Sequence, residues 1–244
     1  MRLLYQLTSP MEKTVLGAGE VARRRDFLRQ RAAAGTDVEV RSLADGPASI
    51  ESAWEAALVV PELARAVQGA QAEGFGAVIV GCFSDPGLDA LRELVTLPVI
   101  GPGAAAVHLA AQLGSRFAIL SPLDTAGPGR VEARLRALGV EAKFAGVRGV
   151  NMPVLDVARE REKVLARLEE VGRAALRQDR ADVLVLGCMS MGFLGLTDDL
   201  QKRIEIPVVN PVTAALKTAE AVVAMGLSHS KAAYPVPPKM EGAR

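Results

Sequence analysis

Short apolar runs alternate with longer amphipathic segments along this chain. Helical periodicity ending near glycine predicts helices over residues 20–33, 51–73 and 159–178. The runs between and around them are rich in β-branched residues, as buried parallel strands are. This alternation predicts parallel sheets with helices on both faces, which is the α/β class. The predicted strands lie at residues 2–7, 38–40, 77–82, 97–100, 116–121, 182–188 and 206–209.

Two of the apolar runs end on Gly-Cys and hold both cysteines of the sequence. The first run reads Ala-Val-Ile-Val-Gly-Cys and ends at Cys82, and the second reads Val-Leu-Val-Leu-Gly-Cys and ends at Cys188. Ligands of open α/β sheets bind at the carboxyl ends of the strands. The pair therefore indicates a site with one thiol on either side of a substrate.

The elements around the two cysteines repeat in the same order. This order predicts two pseudo-symmetric lobes, each a three-layer α/β unit on a parallel sheet, with the active site between them. We expect the first lobe to comprise residues 1–99 and 210–244, and the second lobe residues 100–209. The matched segments are 2–7 with 116–121, 38–40 with 140–142, 97–100 with 206–209, and 104–111 with 214–221.

The composition fits such an enzyme and argues against several other classes. The chain has 244 residues, of which 50% are hydrophobic, enough for a large aliphatic core. A net charge of +1 favours neither nucleic acid nor an anionic membrane surface as a partner. No apolar stretch has the length of a membrane span, and the apolar start is too short for a signal peptide. We therefore expect a cytoplasmic protein with two reduced thiols rather than the one disulfide they could form.

The most distinctive motif begins at the first cysteine strand. It reads Gly-Cys-Phe-Ser-Asp-Pro-Gly-Leu-Asp-Ala over residues 81–90, and further matching stretches lie at 46–52, 92–93, 186–191 and 219–231. Together they resemble the signature of hydantoin racemases, within the aspartate/glutamate racemase superfamily. The resemblance implies racemisation of a small-molecule substrate without a cofactor. It also implies that Cys82 and Cys188 are the catalytic residues and that the protein is a homo-oligomer.

Three places differ from the family pattern. Leu7-Thr8-Ser9-Pro10 stands where Asn-Pro-Asn is usual, Met189-Ser190 where Ala-Gly is usual, and Ser84 where Gly is common. We expect all three to face the ligand, so they bear on substrate identity. The substrate-binding candidates are Thr8, Ser9, Phe83, Ser84, Asp85, Ser121, Met189, Ser190, Met191 and Thr213.

The chemistry of two opposed thiols can be argued from the residues alone. The thiolate is the useful base, and an ordinary cysteine has a pKa of about 8.5. Backbone N–H groups of residues 83–85 and 189–191 are the predicted donors to the enolate-like charge. One thiolate removes a proton, the opposite thiol returns one, and the roles exchange for the other enantiomer. A 5-substituted hydantoin or allantoin suits this scheme because a ring carbonyl beside the acidic carbon takes up the charge.

Three of the polar residues near these motifs also have a structural interpretation. Asp85 either orients Cys82 or binds substrate, or it caps an ordinary Asp-Pro-Gly turn. Thr213 is first an N-cap of the last long helix and second a ligand contact. His108 is predicted to be a packed helix residue rather than a base.

The duplication adds weaker candidates, and the sequence offers no cofactor motif. Ser121, Thr125 and the turn at residues 127–129 would mirror residues 8–10 in the other lobe. Zinc is not expected because neither a CxxC motif nor clustered histidines occur. No lysine stands in a context typical of a Schiff base, so pyridoxal phosphate is not expected either.

Other functions on this scaffold stay open from the sequence. One is an aspartate or glutamate racemase, and another is an enzyme like maleate isomerase or arylmalonate decarboxylase. Cysteines at both equivalent positions favour a racemase over a decarboxylase, for which a single thiol suffices in the family. A two-lobed binding protein without turnover is the alternative of another class, and it would need neither thiol.

Overall fold

A computed structural model describes residues 1–123 and 128–241 of the chain. Its strands are β1 (Arg2–Gln6), β2 (Asp37–Arg41), β3 (Ala77–Val80), β4 (Val99–Ile100), β5 (Phe117–Ser121), β6 (Phe144–Gly149), β7 (Val183–Leu186) and β8 (Val208–Val209). Its helices are α1 (Gly17–Arg31), α2 (Ala53–Leu58), α3 (Val60–Ala72), α4 (Leu88–Leu94), α5 (Pro102–Leu113), α6 (Pro128–Ala137), α7 (Val154–Val157), α8 (Arg161–Gln178), α9 (Met189–Phe193), α10 (Thr197–Ile204), α11 (Pro211–Ala224) and α12 (Pro238–Glu241).

The chain divides into two compact units. Unit 1 comprises Met1–Pro102 and Ala215–Arg244, and unit 2 comprises Gly103–Ala214. None of the helices in the described part of the chain combines the length and the apolar character needed to cross a membrane.

Unit 1 is built on a parallel sheet with the strand order β2-β1-β3-β4. All four residues of β3 are buried. An apolar, β-branched run such as this one suits a central strand that is covered on both faces. Val78 and Val80 of β3 pack in one core with Leu4 of β1, Leu63 of α3 and Leu91 of α4. The sheet thus buries apolar side chains against helices that connect its strands, as the alternation predicted.

Unit 2 repeats this arrangement with the strand order β6-β5-β7-β8, again parallel. Leu184 and Leu186 of β7 pack with Leu120 of β5, Leu168 of α8 and Leu200 of α10. Each strand therefore has a counterpart in unit 1, and β7 corresponds to β3. The predicted α/β class, with a parallel sheet in each of two lobes, is confirmed.

The predicted counterpart of β2 was placed too early in the sequence. Residues 140–142 do not form a strand, because Glu141–Lys143 is a 3-10 turn. The strand β6 begins instead at Phe144, whose ring packs on the ring of Phe117 with centroids 6.0 Å apart. This tertiary contact anchors the start of the strand, and no local pattern announces it.

The long helix predicted over residues 51–73 is two helices, α2 and α3, that meet at Val59. The break follows from Pro61 in the first turn of α3, since proline has no N–H and its ring clashes with the carbonyl four residues earlier. Ser52 caps α2 by accepting the Glu55 N–H at 3.2 Å. The proline thus starts a new helix rather than continuing the old one.

Candidate active site

In unit 1 the loops after β1 and β3 leave the same edge of the sheet. Gln6 and Val80 are register partners at the ends of these parallel strands. The chain continues from Gln6 into Thr8 and Ser9, whose side chains are buried, and from Val80 into Cys82. The structure therefore brings Thr8 and Ser9 to the edge that also carries Cys82, as expected for parallel strands.

Gly81 allows β3 to deliver Cys82 at this edge. The Gly81 N–H donates to the carbonyl of Gln6 at 2.7 Å. A Cβ at this position would lie 2.7 Å from the same carbonyl oxygen and 3.1 Å from the Cα of Leu7. Backbone cannot yield as a flexible side chain can, so a side chain is excluded and glycine is required.

A tight turn follows Cys82. The Cys82 N–H donates to the Val80 carbonyl at 2.8 Å, and the Asp85 N–H donates to the Cys82 carbonyl at 3.1 Å. Asp85 has a φ of 51°, in the left-handed region that aspartate tolerates better than most residues. The Asp85 N–H, predicted as a donor to substrate, is therefore engaged by the turn itself.

Within this turn the Cys82 sulfur and the Ser84 hydroxyl are in contact. The distance from Sγ to Oγ is 3.2 Å, and either atom can be the donor. Cys82 is partly exposed and Ser84 is exposed, so both atoms lie at the surface of unit 1. Phe83, between them, is partly buried.

The Asp85 carboxylate lies against the residue that precedes α5. A Cβ added to Gly101 would come within 2.6 Å of Asp85 Cγ and 2.8 Å of its Oδ2. Gly87, two residues after Asp85, packs equally closely on Val60, since its Cβ would lie 2.8 Å from Val60 Cγ1. These contacts support the structural interpretation of Asp85, as a residue that fixes its turn against the rest of unit 1.

In unit 2 the second cysteine strand ends in the same way. The Gly187 N–H donates to the Leu120 carbonyl at 2.7 Å, and an added Cβ would lie 2.9 Å from that oxygen and 2.7 Å from Ile119 Cγ2. Gly187 therefore does for Cys188 what Gly81 does for Cys82. The requirement for Gly before Cys comes from how closely the central strand approaches its neighbour.

The loop after Cys188 differs from the loop after Cys82. Cys188 has extended backbone angles and directly precedes α9, and its carbonyl accepts the Gly192 N–H at 3.1 Å. Its side chain is buried, with 8% exposure. Met189, Ser190 and Met191, the predicted ligand contacts, form the first turn of α9 and are also buried. Neither Cys82 nor Cys188 forms a disulfide.

The capping role predicted for Thr213 belongs to Asn210. The Asn210 side chain accepts the Val212 N–H at 2.9 Å and donates to the Gly192 carbonyl at 2.9 Å. Thr213 lies inside α11 and donates from its hydroxyl to the Asn210 carbonyl at 3.1 Å. Asn210 thus ties the start of α11 to α9, the helix that follows Cys188. The signal in the sequence was an asparagine directly before a proline.

Ser121 is the last residue of β5, and its carbonyl accepts the Val150 N–H at 2.9 Å. It is thereby at the carboxyl edge of the unit 2 sheet, where Cys188 also emerges from β7. Thr125 lies outside the described residues, as does the start of the turn at residues 127–129.

Comparisons of this chain with known proteins identify its family. The sequence model of a family described as Asp/Glu/Hydantoin racemase matches residues 23–219. The chain belongs to this family. Hydantoin racemase from Rhizobium meliloti is 36% identical over 208 residues, which are 83% of this chain and 84% of the relative. Hydantoin racemase from Paenarthrobacter aurescens is 33% identical over 208 residues, which are 85% and 87%.

The solved structures give the same picture of this family member. Allantoin racemase from Pseudomonas fluorescens aligns with a TM-score of 0.88 at 30% identity, covering 98% of this chain and 97% of that one. The predicted resemblance to hydantoin racemases is confirmed, and so is the prediction of an isomerase of the racemase class.

The two histidines of this racemase are engaged by backbone. The ring nitrogens of His108 lie 2.8 Å from the Ala104 carbonyl and 3.1 Å from the Leu138 carbonyl. His229 Nε2 lies 2.8 Å from the Val99 nitrogen and 3.0 Å from the Val99 oxygen, and in the neutral tautomer with its proton on Nδ1 it accepts the Val99 N–H. Burial, helped by the positive charge of Arg92, lowers the pKa of His229 to about 4, which keeps the ring neutral as this acceptor role requires.

Metal ligation finds no support in the described part of the chain. Within residues 1–123 and 128–241, no group of three or more His, Cys, Asp or Glu side chains is placed to hold a metal ion.

Proposed function

We propose that the protein racemises a 5-substituted hydantoin or allantoin, without a cofactor, with Cys82 and Cys188 as opposed acid and base. One observation carries the proposal. Each cysteine follows the equivalent central strand of an equivalently ordered sheet, immediately after a glycine that touches the neighbouring strand. A duplicated frame that preserves a thiol at both positions supports a reaction that needs a thiol twice.

The proposed reaction is a proton exchange at one carbon. The thiolate of one cysteine takes the proton from C5, and the electron pair of the broken C–H bond moves into the adjacent ring carbonyl as an enolate. The thiol of the other cysteine then donates its proton to the opposite face of C5 and becomes the thiolate. Charge and protons balance, and the enzyme is left ready to run the reaction in the other direction.

The developing enolate needs hydrogen-bond donors that are already in place. The N–H groups of Met189 and Ser190, in the first turn of α9 directly after Cys188, are the donors we expect in unit 2. In unit 1 the corresponding donors are the N–H groups of Phe83 and Ser84. Donors of this kind are each worth about 3 kcal/mol in a transition state.

The names of the relatives support the substrate class. Three relatives above 30% identity are hydantoin racemases, and the solved structure from Pseudomonas fluorescens is an allantoin racemase. Allantoin is itself a 5-substituted hydantoin, so the two kinds of substrate have the same ring and the same acidic carbon, C5. Thr8, Ser9, Met189 and Ser190, which differ from the usual family pattern, are the residues we expect to contact the substituent at C5.

Circular dichroism of single-enantiomer substrates tests the proposal. Purified protein, treated with EDTA and without added pyridoxal phosphate, should abolish the signal of one or more 5-substituted hydantoins or of allantoin, faster than the spontaneous reaction. Racemisation of aspartate or glutamate alone would contradict the substrate class. Ligand binding without any loss of signal, measured as a thermal shift, would support the binding protein instead.

The setting of the enzyme is also part of the proposal. We propose a homo-oligomer in the cytoplasm, on the grounds of the family resemblance and of two reduced thiols. Native mass spectrometry should give a mass that is a multiple of the 25.7 kDa chain. A monomer under all conditions would contradict this part without affecting the chemistry.

A further inference from the structure

We propose that Ser84 is a positioning residue for Cys82, whose hydroxyl donates a hydrogen bond to the thiolate and lowers the pKa of that cysteine. The inference deepens the proposed function and rests on it, since it assigns the hydroxyl to the catalytic base rather than to the substrate. Its starting point is the distance of 3.2 Å between Cys82 Sγ and Ser84 Oγ. That distance lies within hydrogen-bonding range for a sulfur atom.

The direction of this hydrogen bond follows from chemistry. A thiolate has no proton and can only accept, so the serine hydroxyl is the donor whenever Cys82 is in its basic form. A hydrogen bond to the charged form of a group favours that form. Ser84 therefore increases the fraction of Cys82 that is thiolate at neutral pH.

The turn that holds the two side chains together is fixed by its backbone. The Asp85 N–H closes the turn on the Cys82 carbonyl at 3.1 Å, and Asp85 has a left-handed φ of 51°. The Cys82 N–H is bound in turn to the Val80 carbonyl at 2.8 Å. Ser84 lies inside this closed segment, two residues from the sulfur that it contacts.

Packing on both sides keeps the turn in place. Asp85 lies against Gly101, where an added Cβ would come within 2.6 Å of its carboxylate carbon, and Gly87 lies against Val60, where an added Cβ would come within 2.8 Å of Cγ1. Because the backbone is held, the hydroxyl loses little further freedom when it bonds to the sulfur. An exposed serine in a loose loop would not give a lasting contact of this kind.

Unit 2 supplies an internal reference for this effect. Ser190 follows Cys188 by two residues, as Ser84 follows Cys82, but Ser190 is buried in the helix α9. The backbone of a helix differs from that of the turn in unit 1. Because the Ser84 hydroxyl contacts the Cys82 sulfur, a change at Ser84 should alter the titration of Cys82. Cys188 is the reference thiol, and its titration should stay unaltered.

Alkylation kinetics test the proposal without any substrate. Iodoacetamide reacts with the thiolate, so its rate at each cysteine, read by peptide mass spectrometry from pH 6 to pH 10, reports the titration of that cysteine. For Ser84→Ala we expect the Cys82 midpoint to rise and its rate at pH 7 to fall about three- to tenfold. Ser84→Thr, which keeps the hydroxyl, should restore the wild-type profile.

A matched control removes a hydroxyl elsewhere in unit 1. Ser228 donates to the Thr96 carbonyl, before the start of β4, and so lies at the amino edge of the parallel sheet, opposite the edge of Cys82. Ser228→Ala should leave both cysteine profiles unchanged. Cys188 should keep its wild-type profile in every variant.

The outcomes that overturn the proposal are distinct. An unchanged Cys82 midpoint in Ser84→Ala would show that the hydroxyl does not act on the sulfur. An equal shift at Cys188, or failure of Ser84→Thr to restore the profile, would assign the effect to the fold of the protein and equally overturn it. If the protein racemises no substrate but the Cys82 midpoint shifts as predicted, the proposed function is refuted while the effect of the Ser84 hydroxyl on Cys82 is supported.

Discussion

The two loops that follow the cysteine strands differ far more than the strands themselves. In unit 1 the chain makes a tight turn after Cys82, which leaves the thiol partly exposed and in contact with Ser84. In unit 2 the chain enters α9 directly after Cys188, which is only 8% exposed. Both cysteines nevertheless follow a glycine that touches the adjacent strand.

This contrast separates what the two units share from what they do not. The two units share the strand order and the Gly-Cys ends, which place one thiol at the carboxyl end of the central strand in each unit. The loops have diverged, and they set the exposure and the hydrogen-bond partners of each sulfur. We therefore expect two thiols that perform the same proton transfer but differ in intrinsic reactivity.

The edge strands show a second difference between the units. In unit 1 the Val99 N–H of β4 donates to His229 from the C-terminal segment at 2.8 Å. In unit 2 the Val208 N–H of β8 donates to the Gln201 side chain at 3.1 Å. The same backbone group is thus satisfied by a titratable ring in one unit and by an amide in the other.

The largest expected effect tests whether Cys82 and Cys188 are both needed for racemisation. Cys82→Ala and Cys188→Ala should each lower racemisation by about 10²- to 10⁴-fold, in both directions, because every turnover needs one base and one acid. The measurement is the loss of circular dichroism of each enantiomer, with thermal unfolding as the control for folding. Either variant racemising at the wild-type rate would break the equivalence of the two units.

The next effect concerns the shared glycines. Gly81→Ala and Gly187→Ala should each lower the free energy of unfolding by about 1–3 kcal/mol, because the new methyl group meets a strand backbone. Gly69→Ala in α3 is the matched control, since nothing lies within 4 Å of its added Cβ. It should raise stability by about 0.5–1 kcal/mol. Urea unfolding of all three variants measures the difference, and equal stabilities would contradict the close strand contact.

The smallest expected effect concerns the edge strand of unit 1. The pKa of His229 is lowered from 6.5 to about 4 in the folded protein, so below pH 6.5 the unfolded chain takes up a proton that the folded protein does not. This contribution to stability is complete above pH 6.5 and is lost as the pH falls towards 4. Allowing for solvent screening of the half-buried ring, we expect the loss to be about 1–2 kcal/mol.

Replacing the ring by an amide sharpens this comparison. His229→Gln keeps an acceptor for the Val99 N–H and makes the edge of unit 1 resemble that of unit 2. Urea unfolding at pH 7.5 and pH 4.5 should therefore show a smaller acid destabilisation than the wild type. Ser228→Ala, which changes the same C-terminal segment but keeps the histidine, should retain the full pH dependence. An unaltered pH dependence in His229→Gln would assign it to other groups.

Much of the frame was predictable because its signals are local. The strands β3 and β7 are short apolar runs closed by Gly-Cys, and their burial follows from composition alone. The family motif over residues 81–90 identified the first cysteine loop. These features depend on neighbours in sequence, which is what a pattern can register.

The errors arose where distant residues decide the structure. The start of β6 depends on Phe144 meeting Phe117, which is distant in the sequence. The contact of the Ser84 hydroxyl with Cys82 also depends on a turn whose geometry the sequence does not specify, and the predicted substrate contact of Ser84 stays a prediction. Two misses are covered by local rules: the break at Pro61 and the cap of α11 by Asn210, directly before a proline.

We propose above all that Cys82 and Cys188 serve opposite faces of one carbon, and isotope exchange in the single variants tests this most directly. Each enantiomer of a C5-deuterated hydantoin is incubated with Cys82→Ala or Cys188→Ala, and loss of deuterium above the spontaneous rate is followed by mass spectrometry. Each variant should exchange one enantiomer only, and the exchanged enantiomer should switch between the two variants. Exchange of the same enantiomer by both variants, or of both enantiomers by either, would contradict the account.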